Sequence, residues 1–429
     1  MALSLVEANK LTNPSLTQGV TEVFLDRGTR DHYALLPFKE YEGTAFEWNM
    51  EKTLPGGYAN IDPYGSTSIV GGVGTRNRLS IKAAALMRHV DTAEIDVIGK
   101  SDINDQHAED LLMGAKAFAQ QHRRDFFYGN GTYNEGTGYN LSGLDYFLDK
   151  YAGRYQSGAL VSPTWGNFQE QKFFPTTGAN AGTPYGTKAT FDYDWIDDLI
   201  TREKGMGFDV IFSDRNSFLA FKTQLNAIQG NTAPMLMDER FGKPVYEYNG
   251  VLWVINDAVG AEKTSSMNKA ASVSLAATTG ELTVNLTTDP FFPGFQDLDI
   301  GREFEIYDNP PETGGSVIAS GVITDITGAA TAETDHTGGA VTGYLVLKAT
   351  PAIYAIRYND IDGVCAVYHK AEGTSVNAGE YNAPIVGFVA ERIGALEDAP
   401  LLRTRLKWYG NYAALSPYSV ARLSHYSLA

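Results

Sequence analysis

The stretch "AFEWNMEKTLPGG", residues 45–57, alternates apolar and polar side chains before it ends in a turn. Phe46, Trp48 and Met50 are separated by polar residues, and this period of two predicts a β-strand with one apolar face. The segment that follows, residues 58–80, is rich in Gly, Ser and Thr and has only a weak apolar pattern. The apolar face of the strand therefore needs a covering surface that the next segment does not supply.

The composition indicates a folded, acidic protein with two or three lobes. The chain has 429 residues, of which 43% are hydrophobic, and a formal net charge of −17. This charge argues against a sequence-nonspecific nucleic-acid binder, which needs an excess of Lys and Arg. A single cysteine, Cys365, allows no internal disulfide. With no long apolar run and no basic N-terminal signal, the chain is expected to be made and retained in a cytoplasm.

A long amphipathic helix is predicted over residues 102–127. Apolar residues recur there at spacings of three and four, Ser101 or Asp102 can serve as the N-cap, and Arg123 and Arg124 occupy the last turns. At about 1.5 Å per residue such a helix spans roughly 36–39 Å. It is long enough to be the spine of a domain.

The remaining pattern predicts an α/β lobe that is interrupted by a β-domain. Helices are expected at 193–205 and 215–228, a buried strand at 208–214 and a hairpin around Asn249-Gly250. Residues 264–350 then show short strands between turn residues and almost no helical periodicity. Residues 278–347 contain 11 Asp or Glu against one Arg, so they hold about ten of the net negative charges. We interpret this segment as an inserted domain, after which the lobe resumes.

The sequence motifs that could carry chemistry mostly fail their own spacing rules. Gly99-Lys100-Ser101 lacks the earlier glycine of a phosphate loop, and Cys365 lies between apolar neighbours, where a buried hydrophobe is expected. No His pair has a metal-binding spacing, and "YNDIDGV" (358–364) fits a hairpin turn better than a calcium loop. An acidic cluster fits the first turn of a helix better than a cation site. Its members are Asp192, Asp194, Asp197 and Asp198.

Three phrases carry a family resemblance. They are "MALSLVEANKLT" at the N-terminus, "LLPFKEYEGTAFEWNMEKTLPG" (35–56), and the helix running into "FFYGNGTYNEGTGYNLSGLDYFL" (126–148). Together they resemble the major capsid proteins of tailed phages of the Hong Kong 97 type. The resemblance covers residues 1–150 well, is compatible with 190–258 and 352–429, and does not cover the β-domain.

The resemblance implies an α+β fold, the Hong Kong 97-like major capsid protein fold, with an inserted all-β domain. The implied divisions are an N-terminal arm (1–35), an extended hairpin loop with peripheral-domain strands (36–90), the peripheral domain with its spine helix (91–140), the first part of the axial domain (141–262), the inserted β-domain (263–351), the second part of the axial domain (352–400) and a C-terminal strand that returns to the peripheral domain (401–429).

The resemblance also implies that the extended loop covers a neighbouring subunit, which would explain a polarised strand without a partner in its own domain. The candidates for this contact are Phe46, Trp48, Met50, Lys52, Leu54 and Pro55. Some members of the family cross-link covalently through Lys, and Lys52 is a candidate donor, although a solvated lysine is the simpler interpretation.

As a function, the resemblance implies a structural subunit that self-assembles through pentamers and hexamers into the icosahedral head of a tailed bacteriophage. The shell would enclose double-stranded DNA without binding it specifically, and its further partners would be scaffolding, portal and decoration proteins. It would be assembled in the bacterial cytoplasm and end in the virion, with no catalytic residue, cofactor, metal or membrane contact.

Two other functions stay open at this point. One is an encapsulin-type nanocompartment shell of the same fold, against which the large insert and the N-terminal phrases argue. The other is a β-rich glycan-binding protein or hydrolase, suggested by the aromatic residues and carboxylates of the insert. The aromatic residues are Phe291, Phe292, Phe295 and Tyr307. Its carboxylates alternate with apolar residues as the solvent faces of strands do, which favours the shell.

Overall fold

The computed structural model describes most of the chain. The described residues are 36–53, 74–94, 106–131, 133–134, 138–203, 207–229, 235–238, 243–264, 273–277, 279–286, 292–309, 314–369, 374–375, 388–396 and 399–428. The N-terminal arm, the predicted N-cap of the long helix and residues 54–73 lie outside them. We call the described residues 36–260 and 352–428 the lobe, and residues 263–347 the barrel.

The described chain alternates strands with four α-helices. The N-terminal half of the lobe contains β1 (Phe38–Glu40), β2 (Ala45–Thr53), β3 (Thr75–Lys82), β4 (Ala84–Ala93), α1 (Gln106–Tyr128), β5 (Tyr133–Asn134), β6 (Gly138–Tyr139), α2 (Leu144–Ala152), β7 (Arg154–Gln156), β8 (Ala159–Val161), β9 (Lys172–Phe173), β10 (Thr176–Thr177), β11 (Thr187–Thr190), α3 (Asp194–Thr201), β12 (Val210–Ser213), α4 (Arg215–Gln229), β13 (Met235–Asp238), β14 (Lys243–Tyr248) and β15 (Val251–Ile255). The barrel contains β16 (Lys263–Thr264), β17 (Val273–Leu275), β18 (Glu281–Val284), β19 (Glu303–Tyr307), β20 (Val317–Ile326), β21 (Thr331–Thr334) and β22 (Val341–Leu347). The rest of the lobe contains β23 (Ala352–Ile356), β24 (Val364–Tyr368), β25 (Thr374–Ser375), β26 (Val389–Leu396), β27 (Ala399–Ala414), β28 (Val420–Ser424) and β29 (Tyr426–Ser427).

The lobe is built around two sheets. The long sheet has the order β1-β24-β27-β26-β25, and β4 pairs antiparallel along most of β27. The central sheet is mixed, with the order β13-β14-β15-β12-β23-β28-β9. One apolar cluster contains residues of α1, α2, the long sheet and one face of the central sheet, while a second cluster joins α3 and α4 to the opposite face of the central sheet.

Helix α1 packs closely on the long sheet through a glycine near its middle and an aromatic ring closer to its C-terminal end. At Gly114 an added side chain would collide with Val90, so the missing side chain lets the helix approach β4. Further along the helix, the His122 ring lies nearly perpendicular to the Trp408 ring, with the ring centroids 4.4 Å apart. The Nδ1 atom of His122 is 2.5 Å from the Tyr412 hydroxyl. The long helix is present as predicted, and it ends one residue beyond the expected position.

The inserted segment forms a closed β-barrel. Strands β22, β17, β18, β21, β20 and β19 follow one another in the sheet, and β19 pairs back onto β22. Strand β16 pairs with β22 beside β17. The barrel has its own apolar core, and its two connections to the lobe lie together, since the Thr350 amide donates to the Gly260 carbonyl at 2.9 Å. Closure removes the unpaired edges through which an inserted sheet could aggregate.

The strands of the C-terminal third are shared between the two sheets. Strand β23 lies in the central sheet, whereas β24 and β26 pair in the long sheet. The turn at 360–363 therefore connects two sheets, and the expectation of a hairpin there is wrong. The reason is that the Tyr358 amide is held by Asp209 at 2.8 Å, which directs the chain away from β23. Beyond β27, strand β28 returns to the central sheet. The assignment of residues 352–400 to one part of an axial domain stays a prediction.

The junction between lobe and barrel should tolerate no side chain at residue 260. Gly260 has φ +66°, and a methyl group there would collide with the Thr350 carbonyl oxygen, whereas Gly250 has φ +81° and open space around it. Gly250→Ala should lose about 1 kcal/mol of unfolding free energy from backbone strain alone. Gly260→Ala should lose about 1–3 kcal/mol more, because of the collision. Urea unfolding of both variants measures the difference, and equal losses would contradict this account of the junction.

The buried histidine under α1 should make stability depend on pH. Burial lowers the pKa of His122 to about 3, so the folded chain keeps the ring neutral while the unfolded chain takes up a proton below about pH 6.5. Its contribution to stability is thus lost as the pH falls. Between pH 7 and pH 5 the unfolding free energy of the wild type should drop by about 2 kcal/mol more than that of His122→Gln. Gly250→Ala, which changes no titratable side chain, is the control, and for it the difference from wild type should stay constant.

Candidate assembly surface and barrel junction

Strands β2 and β3 form an antiparallel hairpin with two unlike faces. The pairing runs from Ala45 opposite Lys82 to Thr53 opposite Thr75. On one face Phe46 lies opposite Ile81 and Trp48 opposite Leu79, so apolar residues meet across the ladder as the sequence pattern predicts. The other face is charged and solvated. Its ion pairs are Arg78–Glu47 and Arg76–Glu51.

The apolar face of the hairpin packs on its own chain. The Trp48 ring stands perpendicular to Trp165 at 5.8 Å, and the Phe46 ring contacts Tyr41 at 5.9 Å. Met50 is buried in the same cluster. The expectation that this face has no partner in its own chain is therefore wrong, because the segment after α2 places Trp165 beneath it. That segment is fixed by a hydrogen bond from the Trp165 amide to the Lys150 carbonyl.

The charged face of the hairpin is exposed as far as the end of the described ladder. Glu51 and Arg76 form their ion pair at 3.7 Å with 65% and 71% of their side chains accessible. Lys52 is described only as part of the strand backbone, and Leu54 and Pro55 lie outside the described residues. The contact of all six candidate residues with a neighbouring subunit stays a prediction.

A network of charged side chains lies where the barrel meets the lobe. From the lobe come Asp145 and Asp149 of α2, Lys172 of β9 and Arg422 of β28. From the barrel come Lys263, Asp297, Asp299 and Arg302. All are buried except Asp149, whose side chain is 19% exposed. Four carboxylates and four cations balance one another.

The contacts within this network are short and specific. Asp297 accepts from Lys172 Nζ at 2.6 Å and from Arg422 Nη2 at 2.7 Å. Within the lobe, Lys172 also reaches Asp149 at 2.6 Å, and Arg422 reaches Asp145 at 2.7 Å. Within the barrel, Asp299 accepts from Lys263 at 2.7 Å and from Arg302 at 2.9 Å. Asp297 is therefore the residue whose ion pairs cross from barrel to lobe in this network.

The network shifts the pKa values of its members in opposite directions. Burial raises the pKa of Asp297, but the charges of Arg422 and Lys172 outweigh burial and hold this pKa below its usual range. For Asp149 burial dominates and raises the pKa to about 6, with Lys172 opposing. At neutral pH both carboxylates are therefore ionised, as charge balance requires.

The other chemical candidates behave as structural residues. Asp194 and Asp197 lie in the first turn of α3, as predicted, and Asp198 pairs with Arg202 at 2.6 Å. Cys365 is fully buried, and burial raises the pKa of its thiol to about 12. Among the described residues no group of three or more His, Cys, Asp or Glu is arranged to hold a metal ion. None of the helices in the described ranges is long and apolar enough to span a membrane.

Sequence reasoning missed the charge network. Asp145 and Asp149 resemble a solvated helix face in the sequence, and Asp297 and Asp299 resemble surface residues of an acidic domain. The available signal was the rarity of cations in the insert, since Arg302 is the only one between 278 and 347. A lone cation beside "QDLD" could have suggested a buried pair.

The fold matches that of solved capsid proteins over the whole chain. No protein-family model matches the sequence, and no curated protein matches it. The capsid asymmetric unit of cyanophage A-1(L) matches with a TM-score of 0.52 and 11% identity, covering 99% of each chain. The chain therefore has the Hong Kong 97-type capsid fold, with the barrel inserted.

Two further solved structures align with the chain. The holo-SrpI encapsulin of Synechococcus elongatus PCC 7942 has a TM-score of 0.49 and 14% identity, covering 100% of this chain and 97% of that one. The capsid of a native GTA particle has a TM-score of 0.48 and 11% identity, covering 98% and 97%.

The packing of the hairpin within its own chain can be measured as a coupling energy. Trp48→Ala and Trp165→Ala should be non-additive by about 0.5–1.5 kcal/mol of unfolding free energy, since each removes the same ring contact. The control is Trp48 with Trp195, which packs on Phe173 and Phe191, and that pair should be additive within about 0.5 kcal/mol. Additive losses for Trp48 and Trp165 would contradict the contact.

Proposed function

We propose that this protein is the major capsid protein of a tailed bacteriophage, a subunit that self-assembles into the icosahedral shell around double-stranded DNA. The observation that carries the proposal is the full-length fold likeness to the cyanophage A-1(L) capsid protein. The phrases at residues 35–56 and 126–148 support it independently, because they resemble the same class of protein in sequence. The subunit acts through contacts with copies of itself, as pentamers and hexamers, and has no catalytic activity.

The packing of the hairpin supports a role in assembly. Trp48 and Phe46 fix its apolar face to the lobe, so the ladder is held in a defined direction while its charged face stays exposed. A preorganised projection loses little conformational freedom when it contacts a neighbour. Each apolar side chain buried there contributes about 1.5–3 kcal/mol before ordering costs. Repeated over a closed shell, contacts of this size are sufficient.

The electrostatics suit a container for DNA. A net charge of −17 keeps the subunit from binding phosphate nonspecifically. Scaffolding, portal and decoration proteins are the further partners of the proposed head, which forms in the host cytoplasm and becomes part of the virion.

The first experiment is electron microscopy and analytical ultracentrifugation of the recombinant chain, alone and coexpressed with its genomic neighbours. Closed shells of phage-head diameter support the proposal. Small closed shells that form without other phage proteins would replace it with a nanocompartment function. A monomer under every condition would overturn both.

The assembly role of the hairpin can be tested by shortening it. Thr53 lies opposite Thr75, so replacing residues 54–74 by Asn-Gly closes the ladder with a two-residue turn. The variant should keep the circular dichroism and melting temperature of the wild type, because the base contacts remain, but it should form no shells. The control is Ile361→Ser, which removes a side chain that is 80% exposed at the turn before β24. Normal shells from the shortened chain would contradict the role of the hairpin.

A further inference from the structure

The segment Gly294–Arg302, "GFQDLDIGR", belongs to two hydrophobic cores at once. Phe295 and Ile300 lie in the core of the barrel, while Leu298, between them, is buried in the core of the lobe. A short 3-10 helix, Asp297–Asp299, turns Leu298 towards the lobe while Phe295 and Ile300, on either side of it, face the barrel. We name residues 294–302 the interlock segment.

Polar contacts fasten the same segment on both sides of Leu298. Gln296 Nε2 donates to the Tyr128 carbonyl at 3.1 Å, and Lys188 Nζ donates to the Gly301 carbonyl at 3.0 Å. His425 Nε2 lies 3.0 Å from the Ile300 carbonyl oxygen. Three elements of the lobe that are distant in sequence thus bind one stretch of nine residues.

The ion pairs across the junction are added to ion pairs that each part also makes within itself. In the lobe, Lys172 and Arg422 have Asp149 and Asp145 as their own partners; in the barrel, Asp299 has two cations. Asp297 adds a second carboxylate to both lobe cations across the junction. Losing its charge leaves each cation of the lobe with one partner.

A second set of contacts joins the barrel to the lobe beside the interlock segment. The Ser157 amide, in the turn between β7 and β8, donates to the Ile326 carbonyl at 2.9 Å, and the Tyr185 hydroxyl donates to Asp325 at 2.7 Å. Together with the paired chain connections at Gly260 and Thr350, three adjoining sets of contacts hold the barrel. An inserted domain that swings on its two connections would have only the last of these.

We propose that the interlock segment locks barrel and lobe into one cooperative unit, so that the barrel is a fixed part of the subunit and does not hinge on its connections. The lock consists of the Asp297 ion pairs and the seat of Leu298 in the lobe. The barrel then follows every movement of the lobe, and its strands open only when the lobe opens. This statement concerns the single chain and holds whether or not the chain forms shells.

Hydrogen exchange of the full-length chain with increasing urea tests the lock. In the wild type, peptides from β19–β22 and from β12 and β23 should reach the same opening free energy and the same urea dependence, as parts of one unit do. In Asp297→Asn/Leu298→Ala the barrel peptides should exchange at least about tenfold faster than in the wild type, and their opening free energy should fall below that of the peptides of β12 and β23.

The matched control truncates two exposed aliphatic side chains of the barrel, in Val317→Ala/Ile318→Ala. Both residues are exposed, and this variant should exchange like the wild type. If the barrel peptides of Asp297→Asn/Leu298→Ala also exchange at the wild-type rate, the proposal is overturned. The wild type alone also decides it: if its barrel peptides open at lower urea than its lobe peptides, there is no lock, even where the variant fails to fold.

Discussion

The structure depends on eight charged side chains that meet where the barrel joins the lobe. Removing a charge from water costs several kcal/mol, and only close, balanced partners recover that cost. Here the balance is reached over the whole network of four carboxylates and four cations, and the ion pairs of Asp297 connect its lobe part to its barrel part. A misplaced barrel would leave Lys172 and Arg422 facing a gap and Leu298 without its seat. The network thus specifies one orientation of the barrel, more than it adds to stability.

The same constraint explains how the lobe accommodates an insertion of this size. The chain leaves and re-enters at hydrogen-bonded positions, Gly260 and Thr350, so the central sheet continues from β15 to β12 and β23 without distortion. The closed barrel presents no free strand edge that could pair with the sheets of the lobe. An open sheet at this position would compete with the native pairing.

Local patterns in the sequence predicted local structure well. The alternation at 45–51 predicted β2, the spacing at 102–127 predicted α1, and Asn249-Gly250, both with positive φ, form the expected hairpin turn. What covers a surface was not predictable in this way. The apolar face of β2 needed a partner, and Trp165, more than a hundred residues later, supplies it within the same chain. Sequence periodicity defines the face, while tertiary topology decides its neighbour.

Charge patterns failed in a related way. Asp145 and Asp149 are four residues apart on α2, which is the spacing of a solvated helix face, yet they lie against cations from β9 and β28. Burial of an aspartate depends on a cation that arrives from elsewhere in the chain, and no window of sequence contains both. The turn at 360–363 was misassigned for a similar reason, because the residue that binds the Tyr358 amide before it, Asp209, lies about 150 residues earlier in the chain.

The acidic residues of the barrel serve two distinct physical purposes. Asp297 and Asp299 are neutralised inside the junction, whereas Glu281, Glu303 and Glu333 remain exposed on its outer surface. Glu281 and Glu333 lie directly opposite each other on β18 and β21, an arrangement of like charges that costs stability. The negative surface formed by these glutamates repels other barrels and phosphate alike over about 8 Å at physiological salt. On a barrel that is fixed as we propose, such a surface disfavours contacts of barrel with barrel between copies of the chain.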